Sequence, residues 1–208
     1  MKRYIILFLL TSFTFFSFGQ TMNELFKTMP NEYLPAFSEA NKTMLLVDSS
    51  LSVIPYPLGE IERLEYSDTF LSLKTSDVGT MQIKILPLVN KTQVIALIKT
   101  VCSSNVCDSD IRFFTNEWEE IQKSSLLPVI PPLKFFDETK MDTPEFKWAV
   151  SQIGMYPLQY QFKDGSNHLQ VKLNINAHLS TQDSIKVAPF LITDSIDLSW
   201  NKSTFVFN

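Results

Sequence analysis

The chain has 208 residues, with 18 Lys and Arg against 22 Asp and Glu, for a formal charge of −4. An acidic chain without a basic block excludes nucleic acid as a natural partner. With 45% hydrophobic residues and 17 Phe it can bury a real core, which excludes a disordered chain.

The first segment, MKRYIILFLLTSFTFFSFGQ, reads as an export signal at residues 1–19. Lys2 and Arg3 are the positive start, Tyr4 to Phe16 the apolar stretch, and Ser17 and Gly19 the small residues before a cut at Gln20. The apolar stretch is about 13 residues, against the roughly 20 that span a bilayer, so it is a signal rather than an anchor. No cysteine stands near the cut, so there is nothing to lipidate. The expected address is periplasmic or secreted, with no transmembrane segment after cleavage. Loss of Lys2 and Arg3 makes the chain more acidic still.

MNELFKTM places Met22, Leu25, Phe26 and Met29 on one helical face, and Pro30 ends it. A second helical stretch is expected at Leu34 to Ser38. A third begins at Asn41 as N-cap and carries Met44, Leu45 and Leu46. From Ile61 the period changes to two. IERLEY, TFLSLKT, TMQIKIL, TQVIALIKTV and DIRFFT read as successive antiparallel strands joined by short connections. In TMQIKIL, Met81, Ile83 and Ile85 face one side, Gln82 and Lys84 the other.

LLPVIPPLKFFDETKMD, residues 126–142, is a Pro-rich connector that lies against the core, since Leu133, Phe135 and Phe136 would otherwise be wet. Thr143 then caps a helix with Pro144 at its first position. Phe146, Ala149, Val150 and Ile153 form its apolar face, and Gly154 ends it. YPLQYQF puts Tyr156, Leu158, Tyr160 and Phe162 on one face, and Asp164-Gly165 signals a hairpin. LQVKLNINA alternates strictly from Leu169 to Ala177, so this sheet is expected to be covered on one side only. KVAPFLIT, SIDLSW and STFVF complete the strands. The expected fold is α+β, short helices followed by antiparallel sheet, in two tandem halves: 20–125 and 143–208, either side of the connector.

Cys102 and Cys107 are the only cysteines. CxxxxC between strands suits neither a thioredoxin-like centre nor a four-ligand zinc site. An oxidising compartment and a tight turn favour a structural disulfide, worth about 2 kcal/mol by loop entropy. The alternative is an exposed, reducible pair. His168 and His178 are about 33 Å apart along a strand and cannot share a metal. Asp108 and Asp110 lack the remaining carboxylates and turn glycine of a calcium loop. Trp118, Trp148 and Trp200 could form a stacking platform, but core filling is the commoner use. Trp148 lies off the apolar face of its helix and is the candidate contact residue. The five glycines form no nucleophile elbow, phosphate loop or dinucleotide fingerprint. No catalytic residue, cofactor or metal is therefore assigned. A glycan-hydrolysing carboxylate pair has no sequence spacing and stays open.

Several stretches carry a family resemblance: MNELFKTMP with YLPAF, LEYSDTFLSLKTSDVGTMQIKILPL, and above all KTVCSSNVCDSDIRFFTNEW. In order, they resemble a family of exported Bacteroidales proteins catalogued as a domain of unknown function. The likeness is best from Thr21 to Trp118. It implies an envelope or secreted address in a Gram-negative anaerobe, and no activity, cofactor or catalytic residue. The gap between the cysteines is longer here than the Gly/Pro-containing gap of the family, which changes the turn. The expected role is non-enzymatic binding of an envelope protein or glycan. The alternatives are a periplasmic or secreted hydrolase of glycan or peptidoglycan using Asp/Glu pairs, and a structural or adhesion subunit.

Overall fold

The computed structural model describes residues 20–47, 52–57, 59–103, 106–153, 157–163, 165–174 and 179–208. The expected export signal at residues 1–19 therefore lies outside the described residues, as do Gly154, Tyr156, Asp164, the expected strand end at Ile175–Ala177 and His178.

Helix α1, Met22–Thr28, starts from a capping box. The Glu24 N–H donates to the Thr21 hydroxyl, and the Glu24 carboxylate accepts the Thr21 N–H. Two otherwise orphaned N–H groups are satisfied this way. Met22, Leu25 and Phe26 are its buried face. Residues 34–38 are not helical. Pro35 brings no N–H, and Ala36 takes a left-handed φ of 60° that no helix continues. Leu34 and Phe37 are still buried, in an irregular turn. Helix α2 is Glu39–Val47 and starts earlier than its sequence suggests. The Ser38 hydroxyl, not Asn41, accepts at the start, from the Asn41 N–H at 3.1 Å.

Seven strands follow as one antiparallel meander: β1 Val53–Tyr56, β2 Gly59–Ser67, β3 Phe70–Lys74, β4 Gly79–Pro87, β5 Gln93–Ser103, β6 Val106–Phe114 and β7 Glu120–Ile121. Sequence periodicity finds the middle five; β1 holds a proline and β7 is two residues long. Helix α3, Pro144–Ser151, is capped by Thr143 with Pro144 in its first turn. A second antiparallel sheet has the order β11-β10-β9-β8, from β8 Leu158–Phe162, β9 His168–Leu173, β10 Ser195–Trp200 and β11 Phe205–Phe207. KVAPFLIT is not a strand. Ser180 caps helix α4, Thr181–Val187, by accepting the Asp183 N–H, and Pro189 lies in a 3-10 turn at Ala188–Phe190. A proline there could not have donated to a ladder.

The large sheet is covered on both faces. Met81, Ile83, Ile85, Leu97 and Phe114 pack with α1 and α2 in one core. On the other face Phe70, Leu86, Ala96, Ile98, Ile111 and Phe113 form a second core with Phe162, Leu169, Val171, Leu198 and Phe205 of the small sheet. Phe135 and Phe136 of the connector and Phe146 and Ala149 of α3 belong to that second core; Leu133 is exposed. The face of β4 that carries Gln82 and Lys84 is thus an interlayer, not a solvent face. Gln82 Oε1 accepts the Phe162 N–H at 2.9 Å, and Lys84 Nζ donates to the Thr69 hydroxyl and the Gly165 carbonyl. Gly165 has φ 63°, and a Cβ there would approach the Phe70 side chain to 3.3 Å. The outer face of the small sheet, with Gln161, His168 and Lys172, is open to solvent.

Candidate functional site

Cys102 and Cys107 stand opposite each other in the β5–β6 register, their sulfurs 2.06 Å apart. Asn174, at the end of β9, donates from Nδ2 to the Cys107 carbonyl at 2.5 Å. The cysteine hairpin is therefore tied to the second sheet. His168 is exposed, with Nδ1 3.1 Å from the Ser199 hydroxyl. Asp108, within β6, accepts the neighbouring Ser109 N–H. Among the described residues, no three His, Cys, Asp or Glu side chains are grouped to hold a metal ion. No helix among them is long and apolar enough to cross a membrane.

The three tryptophans divide. Trp118 and Trp200 are each 7% exposed, and their indole N–H groups donate to the Leu25 and Pro87 carbonyls. Trp148 is half-buried on α3, because Phe146 and Ala149 take that helix's buried face. It floors a groove of ≈ 490 Å³ with Pro144, Pro189 and Phe190, and Glu145 and Lys186 at the rim. Lys186 Nζ lies 5.4 Å from the Trp148 ring centroid and makes no ion pair among the described residues. Phe190 is held edge-on to the buried Phe146. The flanking residues Ile185 and Ile192 are 68% and 65% exposed. A semi-open aromatic floor with one uncommitted cation can seat an apolar side chain beside an acidic group.

A second depression, of ≈ 400 Å³, lies on the helix side of β5–β7 and was not anticipated from sequence. It is lined by Glu32, Tyr33, Lys99, Asp110, Arg112 and Glu120, with Leu97 at its base. The sheet register builds it: Leu97 faces Arg112, Lys99 faces Asp110 and Phe114 faces Glu120, all on one side. Arg112 Nε donates to Asp110 at 2.7 Å, which raises the arginine's pKa further. The Tyr33 ring packs on Phe114 and Trp118 at 5.1 and 5.9 Å between centroids. Its pKa is raised by burial and then by the hydroxyl's hydrogen bond to Glu32. Trp118 has φ 63°, an uncommon conformation for a bulky residue and a common companion of functional sites. Lys99 lies 5.6 Å from the Tyr33 ring centroid. Its pKa is lowered, first by burial and then by Arg112. The pocket residues span positions 32 to 120, so no local motif announces them.

A solved structure described as "Structure of a domain of an uncharacterized protein from Porphyromonas gingivalis W83" superposes with a TM-score of 0.77 at 21% identity. The match covers 92% of this chain and 99% of that one. At that identity the likeness is one of fold, and its source is a Bacteroidales organism. No curated protein matches the chain. The family model described as "Protein of unknown function (DUF3256)" matches residues 14–205, nearly the whole length. The chain therefore belongs to that family.

Proposed function

We propose that the protein is exported to the periplasm or beyond the cell, and that it works there as a non-enzymatic binding protein of the bacterial envelope. The partner is an extended peptide segment of another protein, carrying an apolar anchor next to an acidic residue. The observation that carries this is the Trp148 groove: a half-buried indole lined by two prolines and Phe190, with Lys186 above it making no ion pair among the described residues. The anchor would cover the ring and its acidic neighbour would neutralise Lys186, while Glu145, which lines the same groove, would select against a wholly acidic segment. The positively charged, apolar start of the sequence and the paired cysteines support the address. Each sheet is contiguous in sequence, which supports two tandem helix-plus-sheet units either side of residues 126–142.

Photo-crosslinking in cells tests the reading. A crosslinker at position 148 or 186 is expected to give one discrete protein adduct, and Lys186→Glu is expected to abolish the adduct formed from position 148. A crosslinker at Gln161, on the outer face of the small sheet, should not give it. Equal labelling from all three positions, or a glycan adduct at position 148, would overturn the proposal. The hydrolase alternative draws on the three carboxylates of the other pocket, Glu32, Asp110 and Glu120. One of them, Asp110, is already engaged by Arg112, which favours holding a ligand over proton transfer.

A further inference from the structure

The pocket beside β5–β7 contains two groups of opposite sign, Lys99 and Glu120, that make no close ion pair among the described residues, although carboxylates stand near Lys99 and Arg112 stands near Glu120. Lys99 stands directly across from Asp110, where a cross-strand ion pair would be expected. Asp110 is taken instead by Arg112. Lys99 makes no ion pair among the described residues; its ammonium lies over the face of Tyr33, with Asp110 and Glu32 acting on it from farther off. A ring face compensates an ammonium only in part, and its N–H donors stay available to a group entering the pocket. Arg112 spends Nε on Asp110 and keeps its terminal nitrogens. Glu120, on the short strand β7, likewise makes no ion pair among the described residues, and it lines the same pocket.

The sign of the lining separates ligand classes. A bare anion would meet three carboxylates, Glu32, Asp110 and Glu120. A bare cation would meet Lys99 and Arg112. A molecule carrying both charges on a short frame offsets both repulsions, because each end can face a group that makes no close ion pair among the described residues. The volume of ≈ 400 Å³ lies within the range of small-molecule pockets. The wall is held in advance by the Tyr33–Phe114–Trp118 cluster and by the indole N–H bond to Leu25, which lowers the ordering cost of binding.

We propose that this pocket binds a small zwitterion of amino-acid or dipeptide size, its carboxylate on Lys99 and Arg112 and its ammonium on Glu120. The site is on the opposite side of the large sheet from the second core, and its occupancy does not depend on the Trp148 groove.

Isothermal titration of the purified protein with alanine, dialanine, N-acetylalanine, alanine amide and inorganic phosphate tests it. At least one of the two zwitterions is expected to bind saturably at one site, and the comparison of alanine with dialanine sets the frame length. Blocking either end of the probe should weaken binding at least tenfold. Lys99→Met should cost at least tenfold, while Lys99→Arg keeps most of the affinity. Glu120→Gln should remove the preference for a free ammonium. Circular dichroism verifies the fold of each variant; if Lys99→Met fails to fold, the blocked probes and Glu120→Gln still decide. Saturable binding by neither zwitterion, equal binding of the blocked probes, or phosphate binding as tight as either zwitterion would overturn the proposal.

Discussion

Lys84 is 3% exposed between the two sheets, with its ammonium on the Thr69 hydroxyl and the Gly165 carbonyl. Burial lowers its pKa from the ordinary 10.5, with Glu65 opposing. Between the folded and unfolded values the unfolded chain holds a proton that the folded chain does not. Stability therefore rises with pH through that window, which ends near 10.5. Lys84→Ala removes the stem and orphans the Gly165 carbonyl, at a cost of about 2–4 kcal/mol. It also removes one contribution to the pH slope, so its deficit should widen from pH 8 towards 10.5. Denaturant melts of both proteins across that range measure it; parallel curves would show that Lys84 is not strained by burial. Alternation puts Lys84 and Gln82 on the side opposite Met81 and Ile83, as observed, but that side is an apolar interlayer with Phe70, Leu86 and Ala96. Alternation does not say that a second sheet lands on that face, because the partner sheet lies some 80 residues further along.

At the scale of elements, the cysteine hairpin closes the end of the β5–β6 pair. The ladder already brings Cys102 opposite Cys107, so a disulfide there mainly restrains the unfolded chain. The closed loop is short, and the loop-entropy estimate is about 2 kcal/mol. Mass spectrometry of unreduced protein purified from its native cells should find no free thiol, and the Cys102→Ser/Cys107→Ser pair should lose about 2 kcal/mol or less. Two free thiols would refute it. Asn174 on the Cys107 carbonyl predicts that faster amide exchange in the reduced protein spreads from the hairpin to the end of β9. The long strands were legible because Met81, Ile83 and Ile85 or Leu169, Val171 and Leu173 repeat every second residue over a half-covered or interlayer sheet. KVAPFLIT misled because Val187, Phe190, Leu191 and Ile192 look like strand residues. The Ser180 cap and Pro189 carry the local decision, and Ile185 and Ile192 end up exposed. The Lys99 pocket was illegible for another reason: sheet register, not sequence proximity, brings Glu32, Lys99, Arg112 and Glu120 together.

At the scale of the whole molecule, the two sheets and the connector share one core. Phe70, Leu86, Val94, Ala96, Ile98, Ile111 and Phe113 are each buried, and in that core their partners come from the small sheet, residues 126–136 and α3. Without residues 126–208 this face of the large sheet would form a broad apolar surface, the kind that marks association or aggregation. Sheet edges, by contrast, are guarded. β1 is four residues long and holds Pro55, β7 has two residues, β11 has three, and the edge strand β8 gives its Phe162 N–H to Gln82. Edge-to-edge assembly of the adhesion-subunit kind has little to pair with. The full protein is therefore expected to unfold in a single cooperative transition, with far-ultraviolet circular dichroism and tryptophan fluorescence coinciding. Residues 20–125 alone should be recovered only as aggregate. The indoles sample the whole: Trp118 reports the helix-side core, Trp200 the inter-sheet core and Trp148 the groove. Two separable transitions, or a soluble monomeric 20–125 fragment, would mean that the halves fold independently and that the inter-sheet core is a docking contact rather than a shared interior.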